Sequence, residues 1–190
     1  MEKENQGLYD PAFEKDACGI GFVANLKGKK SHDIIDKALT MLERMEHRGA
    51  CGCESTTGDG AGILIQVPHE FFVDECLKIG IKLPAFGSYG VGIIFFPQDE
   101  KLREECREIV NRNIEKLGMK LLGYRKVPTI HGDVGPSALA VEPIMEQIFI
   151  KRAENITDPD AFERKLFVLR NYSTRTVSYT HLTLPTNREV

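Results

Sequence analysis

Residues 18–22 read Cys-Gly-Ile-Gly-Phe, residues 46–53 read Glu-His-Arg-Gly-Ala-Cys-Gly-Cys, and residues 57–64 read Thr-Gly-Asp-Gly-Ala-Gly-Ile-Leu. The apolar run over residues 19–26 predicts a largely buried strand, with glycines where another part of the backbone approaches closely. Ser31 predicts the N-cap of an amphipathic helix that Gly49 ends. A loop rich in turn-forming residues follows, and residues 61–67 predict a second strand.

Further along the chain, strand-length apolar runs alternate with amphipathic helical patterns, which implies sheets with helices packed on them. We expect a short helix over residues 69–80 with Phe72, Cys76 and Ile79 facing inward. We also expect strands over 89–96, 119–127, 144–151 and 166–172, a long helix from the N-cap Asp99 to about Gly118, and a short helix around 159–164. Periodicity alone does not decide between parallel and antiparallel sheets.

The composition is that of a globular domain, with 42% hydrophobic and 28% charged residues in 190. A formal net charge of −3 gives no reason to expect a nucleic-acid or anionic-membrane partner. The longest apolar runs, such as residues 91–96, are far shorter than the roughly 20 residues of a membrane span. Residues 1–6 are polar and lead into no apolar segment of a secretory signal, so we expect a cytoplasmic protein.

The five cysteines are Cys18, Cys51, Cys53, Cys76 and Cys106. Their odd number and irregular spacing argue against a disulfide framework, and Cys51 and Cys53 are too close together for a zinc site. Cys76 and Cys106 lie among apolar neighbours on predicted helices, so we expect both to be buried. Cys18 is left to explain, and composition alone favours a buried structural thiol at this position.

A Cys-Gly-Ile-Gly start, one helix and then His-Arg-Gly resemble the opening of the class II (N-terminal-nucleophile) glutamine amidotransferases. The Ala-Cys-Gly-Cys and Thr-Gly-Asp-Gly-Ala-Gly-Ile-Leu stretches are most similar to the glutaminase domain of glutamate synthase large subunits. Further matches are residues 89–92, 95–99, 125–128, 135–138 and 142–143, with Gln147, so the resemblance covers about residues 8–176.

In this family the residues before the cysteine are removed, which implies that residues 1–17 form a leader and that Cys18 becomes the mature N-terminus. A free thiol has a pKa of about 8.5, and the thiolate is the nucleophile. An α-amino group, with a pKa of about 8, can accept the thiol proton and return it to departing ammonia. The resemblance therefore implies that Cys18 hydrolyses glutamine to glutamate through a γ-glutamyl thioester.

The resemblance also implies that Arg48 and Gly49 lie beside the nucleophile and shape the glutamine pocket, with a helix-end cation as the alternative for Arg48. Residues 57–60 lack the Lys-Ser/Thr of a phosphate-binding loop and predict a tight turn. His69 and His131 show no partners in the sequence and are interpreted as ordinary polar residues.

Family members bind the glutamine α-carboxylate with an arginine and its amino group with an aspartate, and they stabilise the tetrahedral intermediate with an Asn-Gly pair. No Asn-Gly pair occurs in this sequence, so we expect these groups beyond Thr176. Residues 177–190 resemble a translated sequencing adapter and are interpreted as a non-native tail. Residues 18–176 would then be a partial amidotransferase domain with negligible glutaminase activity by itself.

The resemblance implies an α+β fold of the N-terminal-nucleophile hydrolases, an αββα sandwich of mainly antiparallel sheets, here truncated. It implies L-glutamine as substrate and a downstream synthase domain of the same chain, where ammonia aminates 2-oxoglutarate with FMN and an iron–sulfur cluster. We predict no cofactor or metal ligand within this segment.

A small glutamate synthase subunit or ferredoxin as partner, and NADPH, NADH or ferredoxin as electron donor, stay open. The alternatives are an amidotransferase with another acceptor and a catalytically silent assembly or regulatory module of the same fold.

Overall fold

A computed structural model of the chain describes residues 19–45, 56–57 and 60–176. In these residues the elements are α1 (His32–Arg44), α2 (His69–Lys78), β1 (Tyr89–Phe96), α3 (Glu100–Lys116), β2 (Lys120–Lys126), α4 (Pro136–Ala140), β3 (Ile144–Lys151) and α5 (Pro159–Thr176). The chain divides into two compact units. We call Met1–Ile65 with Asp133–Leu139 the motif unit, and Gln66–Gly132 with Ala140–Val190 the sheet unit.

The sheet unit is built on a three-stranded antiparallel sheet in the order β1-β3-β2. β3 lies in the middle and pairs from Lys151 opposite Tyr89 to Ile144 opposite Phe96 on one side, and with β2 on the other. The β2 register shifts before Gly123, which has a φ of +154°. A glycine is needed there, because that backbone conformation is strained for other residues and a Cβ would lie 2.5 Å from Ile81 Cδ1.

Buried residues lie on both faces of the sheet, since successive side chains along a strand point to opposite faces. The face toward α3 and α5 carries Ile94, Phe96, Ile148 and Ile150, each at most 1% exposed. On the opposite face, Tyr89 and Phe149 pack against Phe72 and Cys76 of α2. The predicted inward positions of Phe72 and Cys76 are therefore confirmed. The prediction for Ile79 is wrong, because it follows the last helical residue and is 53% exposed.

Helix α3 begins as predicted, since the Asp99 carboxylate accepts a hydrogen bond from the Leu102 N–H at 2.8 Å. Its contact with α5 includes a buried polar link in which Asn113 Nδ2 donates to Ser173 Oγ at 3.3 Å. Gly90 lets α5 lie close to β1, because a Cβ there would be 2.6 Å from Leu166 Cδ1. These contacts make α3, α5 and the sheet one layered core.

Helix α5 overturns the strand predicted over residues 166–172 and extends the short helix predicted around 159–164. Its buried residues are Phe162, Leu166, Leu169 and Ser173, which share one helical face. The strand prediction was wrong because a short apolar run, here residues 166–169, does not distinguish a strand from a buried helical segment. The helical spacing of the apolar residues over 162–173 is the signal that distinguishes a helix from a strand here.

The strands predicted over residues 19–26 and 61–67 are wrong. Neither stretch forms a strand, and Ile20, Phe22 and Leu26 are 90% to 102% exposed. A strand needs a hydrogen-bonded neighbour, and no strand within the described residues lies beside either stretch.

Helix α1 begins after Ser31 as predicted, although the Ser31 side chain makes no capping hydrogen bond. The helix ends at Arg44, and Gly49, the predicted stop, lies outside the described residues.

Candidate active site

The predicted site residues Cys18, Arg48 and Gly49, together with Asp59, lie outside the described residues. The described chain nearest to them consists of the segment that starts at Gly19 and of α1, which ends immediately before Met45. These two pieces are the described chain that flanks Cys18 and Arg48 in the sequence.

The segment that follows Cys18 packs against α1. A Cβ on Gly21 would lie 2.3 Å from Met41 Sδ and 3.0 Å from Met41 Cε, closer than real atoms approach. Only the absence of a side chain at Gly21 allows this contact. The close approach predicted for these glycines was one of backbone, whereas the atoms that meet Gly21 belong to a side chain. The contact joins the segment after Cys18 to the helix that leads toward His47-Arg48-Gly49.

The third sequence stretch contains a left-handed glycine. Gly60 has a φ of +85°, a conformation that L side chains rarely adopt. From there the chain continues without helix to Pro68, the N-cap of α2. A phosphate-binding loop would lead directly into a helix, so residues 60–68 do not fit that loop. The tight turn predicted over residues 57–60 lies partly outside the described residues.

Two of the cysteines lie in the described residues, and both are buried as predicted. Cys76 is 0% exposed and Cys106 is 5% exposed. Burial raises the pKa of the Cys76 thiol, which disfavours the thiolate that a nucleophile requires. Neither of these two cysteines is therefore a catalytic candidate.

Segments that match the family, though distant in sequence, meet in the sheet unit. Arg125, whose side chain is 10% exposed, donates from Nη1 to Gln147 Oε1 at 2.9 Å and from Nη2 to Glu75 Oε2 at 2.8 Å. Gln98 Nε2 donates to the carbonyl oxygen of Glu142 at 3.0 Å. The matching residues thus support one another by hydrogen bonds within this unit.

His69 and His131 each have a hydrogen-bonding partner that the sequence did not indicate, which is compatible with their interpretation as ordinary polar residues. His69 Nδ1 lies 3.0 Å from Tyr89 Oη, and burial raises the pKa of Tyr89 to about 12. His131 Nε2 lies 2.8 Å from a carboxylate oxygen of Glu142. These partners are 20 and 11 residues away along the chain, and nothing in the local sequence pattern indicates them.

The sequence reasoning also missed a half-buried charge network on the sheet face toward α3 and α5. Arg107 forms an ion pair with Glu146, and its guanidinium lies 5.4 Å from the centre of the Phe96 ring. Tyr124 Oη donates to Asn111 Oδ1 at 2.7 Å beside it. Glu146 has the same parity as the buried Ile148 and Ile150, and a carboxylate at an inward position is a sequence signal for a buried cation partner.

The described residues hold no group of three or more His, Cys, Asp or Glu arranged to bind a metal ion. In the same part of the chain, no helix has both the length and the apolar character needed to cross a bilayer.

Comparison with known proteins gives the family. Residues 18–186 match the model of the class-II glutamine amidotransferases. The chain belongs to that family. The matched region runs from Cys18 through both units to residue 186, so all the described residues of this amidotransferase chain fall within one family match.

Three relatives illustrate the similarity of the amidotransferase chain to larger proteins. It is 47% identical over 165 residues to the glutamate synthase [NADPH] large chain of Bacillus subtilis, covering 87% of this chain and 11% of that protein. It is 41% identical to glutamate synthase [NADH] of Schizosaccharomyces pombe, covering 90% and 8%. It is 37% identical to ferredoxin-dependent glutamate synthase 2, chloroplastic, of Arabidopsis thaliana, covering 90% and 10%. The chain therefore spans about a tenth of the length of these relatives.

Proposed function

We propose that this amidotransferase chain provides the glutaminase site, with Cys18 as the nucleophile that hydrolyses L-glutamine. The observation that carries the proposal is the start of the family match at residue 18, the cysteine that the sequence pattern indicates. The burial of Cys76 and Cys106 supports it, because neither buried thiol is suited to attack a substrate.

The reaction requires that the peptide bond between Ala17 and Cys18 is cut, so that thiol and amine belong to one residue. The free α-amine accepts the thiol proton while Sγ attacks the amide carbon of glutamine. The tetrahedral intermediate expels ammonia, which takes that proton and leaves a γ-glutamyl thioester. Water then attacks the thioester, its proton returns to the sulfur through the amine, and glutamate departs.

We propose that Arg48 and Gly49 border the glutamine pocket. The contact between Gly21 and Met41 supports this, because the helix that leads to Arg48 touches the chain that follows Cys18. We expect Arg48→Lys to raise KM for glutamine more than it lowers kcat, since the charge remains but the two-pronged hydrogen-bonding geometry is lost. An unchanged KM would remove Arg48 from the pocket.

We propose that the complete protein is a glutamate synthase in which a downstream domain uses the ammonia to aminate 2-oxoglutarate. The names of the relatives support this reaction, and they include NADPH-, NADH- and ferredoxin-dependent forms, so the electron donor stays open. The FMN and iron–sulfur cluster of this proposal belong to the downstream domain. A small subunit or ferredoxin would be the redox partner.

We also propose that the domain adopts the αββα architecture of the N-terminal-nucleophile hydrolases. The antiparallel sheet with α3 and α5 on one face supports this, since these would be one helix layer and one sheet. On the other face, α2 packs on Tyr89 and Phe149, while Ile93, Phe95 and Met145 are half-buried. The second sheet would pack on these half-buried residues.

Substitution of Cys18 in the full-length protein tests the proposed chemistry. We expect Cys18→Ala to lower glutaminase turnover by a factor on the order of 10³ or more, because the nucleophile is removed. Cys106→Ala is the matched control, since it deletes a thiol that is buried in the core and far from an aqueous substrate. It is expected to lower stability and keep turnover. Normal turnover by Cys18→Ala would overturn the proposal.

Two direct observations accompany the kinetics. A glutamine-analogue electrophile is expected to modify Cys18 in the wild-type protein and to leave Cys106→Ala equally labelled at Cys18. Intact-mass analysis of active enzyme is expected to show Cys18 as the first residue. Active enzyme that retains Met1 would contradict the proposed maturation, and an unlabelled Cys18 would favour the silent module.

A further inference from the structure

An open groove of about 410 Å³ lies in the sheet unit, where β2 begins and β3 ends. It is lined by residues 118–120 and 151–155. Its volume falls in the range of pockets that hold small molecules, roughly 300–1,000 Å³. None of its residues belongs to the proposed glutaminase site.

The groove carries a concentration of positive charge that the fold itself does not need. Lys120 and Lys151 lie directly opposite each other on paired strands, an arrangement in which like charges destabilise a sheet. Arg152 follows immediately. Against these three cations the lining contains one carboxylate, Glu154, which is 94% exposed and 3.8 Å from Lys151 Nζ.

Neither ion pairing nor binding to the carbonyl groups at a helix C-terminus explains these cations. The side chains of Lys120 and Arg152 form no ion pair or hydrogen bond within residues 19–45, 56–57 and 60–176. Cations near a helix C-terminus often bind its free carbonyl groups. At the end of α3 this role belongs to Lys165, whose Nζ donates to the Leu117 carbonyl oxygen at 2.6 Å.

The turn after β3, whose residues 153–155 also line the groove, contains main-chain N–H groups without a protein partner in the part of the chain that the structure describes. Ile156 N–H donates to the Ala153 carbonyl oxygen at 3.0 Å and closes the turn. The N–H groups of Ala153, Glu154 and Asn155 have no protein acceptor within the described residues. Successive free N–H groups in a turn form anion-binding concavities.

We propose that this groove binds a small polyanion that carries phosphate groups or two carboxylates, with Lys120, Lys151 and Arg152 as its ligands. The guanidinium of Arg152 offers the planar pair of donors that matches either group, and the two ammonium groups neutralise further charge. A bound anion also relieves the repulsion between the opposed lysines, so binding and sheet stability are coupled.

Calorimetric titration of the full-length protein with inorganic pyrophosphate, at constant ionic strength, tests the groove. We expect saturable binding that the double variant Lys120→Gln, Arg152→Gln weakens by about tenfold or more. The matched control is Lys101→Gln, Arg112→Gln, which removes the same charges from exposed positions on α3. A second titration with succinate distinguishes the two kinds of ligand. If pyrophosphate binds more tightly, the groove is specific for phosphate groups; if succinate binds more tightly, it is specific for a dicarboxylate.

Thermal melting gives a readout that a purely structural role would not produce. Without ligand, the groove variant (Lys120→Gln, Arg152→Gln) is expected to melt at or above the melting temperature of the wild type, because the repulsion between Lys120 and Lys151 is relieved. With pyrophosphate, only the wild type and the control variant on α3 should gain stability. Equal loss of affinity in both double variants, or no saturable binding of either probe by wild type, would overturn the proposal. If the groove variant does not fold, Lys151→Gln takes its place with the same expectation.

Discussion

The motif unit and the sheet unit contain different kinds of information. In the motif unit, α1 has no fully buried residue, and the segment before it exposes Ile20 and Phe22 almost completely. In the sheet unit, the central strand buries Ile148, Phe149 and Ile150 to 1% exposure or less. The described core therefore lies in the sheet unit, whereas the stretches 18–22, 46–53 and 57–64, on which the family resemblance first rests, lie in the motif unit.

The physical basis of this difference is the availability of partners. In the sheet unit, each apolar strand face meets a helix whose own apolar stripe faces it, so burial stabilises both elements. In the described part of the motif unit, the extended segments have no paired strand, and their apolar side chains remain exposed. Chemistry is thus encoded by short-range residue identity, and the core by long-range matching of faces.

The same substitution in both units tests this difference most strongly. Ile148→Ala, at a position that is 0% exposed, should lower the free energy of unfolding by about 2–5 kcal/mol, because it leaves a cavity under α3 and α5. Ile20→Ala, at 94% exposure, should change it by less than about 0.5 kcal/mol. Urea unfolding followed by circular dichroism measures both, and equal losses would show that Ile20 is buried in solution.

Two glycines that touch side chains give a second paired test. Gly90→Ala should cost about 1–3 kcal/mol, because the new Cβ meets Leu166, which is 8% exposed and held in the core. Gly21→Ala should cost less, because it meets the flexible, half-buried Met41. Gly62→Ala, with no atom within 4 Å of the new Cβ, is the control. A larger loss at Gly21 than at Gly90 would show that the motif unit is the more tightly packed of the two.

The sheet unit could be predicted from sequence to a large extent. β1 and β3 have the predicted bounds, and α3 starts at the predicted cap, because a strand-length apolar run and an Asp N-cap are local signals. The strand order β1-β3-β2 could not be predicted, since it depends on contacts between residues far apart in the chain. The start of α5 was predicted, but residues 166–172 of this helix were predicted as a strand, because a short apolar run fits both a strand and a buried helical segment.

The candidate site shows the opposite pattern. Cys18 and Arg48 follow from residue identity and a family resemblance, without any information on packing. The partners of Arg125 and Glu146 are inaccessible to the same reasoning, because Glu75 and Arg107 come from other elements. The sequence predicts such a partner only where a charged residue occupies an inward position on an apolar face, as Glu146 does.

Buried polar groups of the sheet unit provide the third test. Tyr89→Phe should lower stability at neutral pH by about 1 kcal/mol through loss of the hydrogen bond to His69. Because burial raises the pKa of Tyr89 to about 12 from 10.0, its neutral form is favoured in the folded state, and this stabilisation is lost as pH rises from 10 toward 12. The variant should lack this alkaline decline. Tyr172→Phe, at 59% exposure, is the control and should change stability little.

The smallest expected effect compares one ion pair from each unit. Glu75→Gln removes a carboxylate that is paired with both Lys78 and the buried Arg125. Asp33→Asn removes an exposed carboxylate that is paired, within the described residues, only with Lys37 on α1. Hydrogen bonds from Lys78 and Arg125 lower the pKa of Glu75 from 4.5, so its stabilisation is full above pH 4.5 and is lost as pH falls below it.

Chemical unfolding at pH 7 and at pH 3 measures this linkage. Glu75→Gln should reduce stability at pH 7 more than Asp33→Asn does, and it should flatten the acid decline. Both substitutions delete one carboxylate, so the difference between them isolates the contact with Arg125. If Asp33→Asn produced the larger loss, exposed pairs on α1 would matter more than the buried guanidinium, and the contrast between the two units would not extend to their charges.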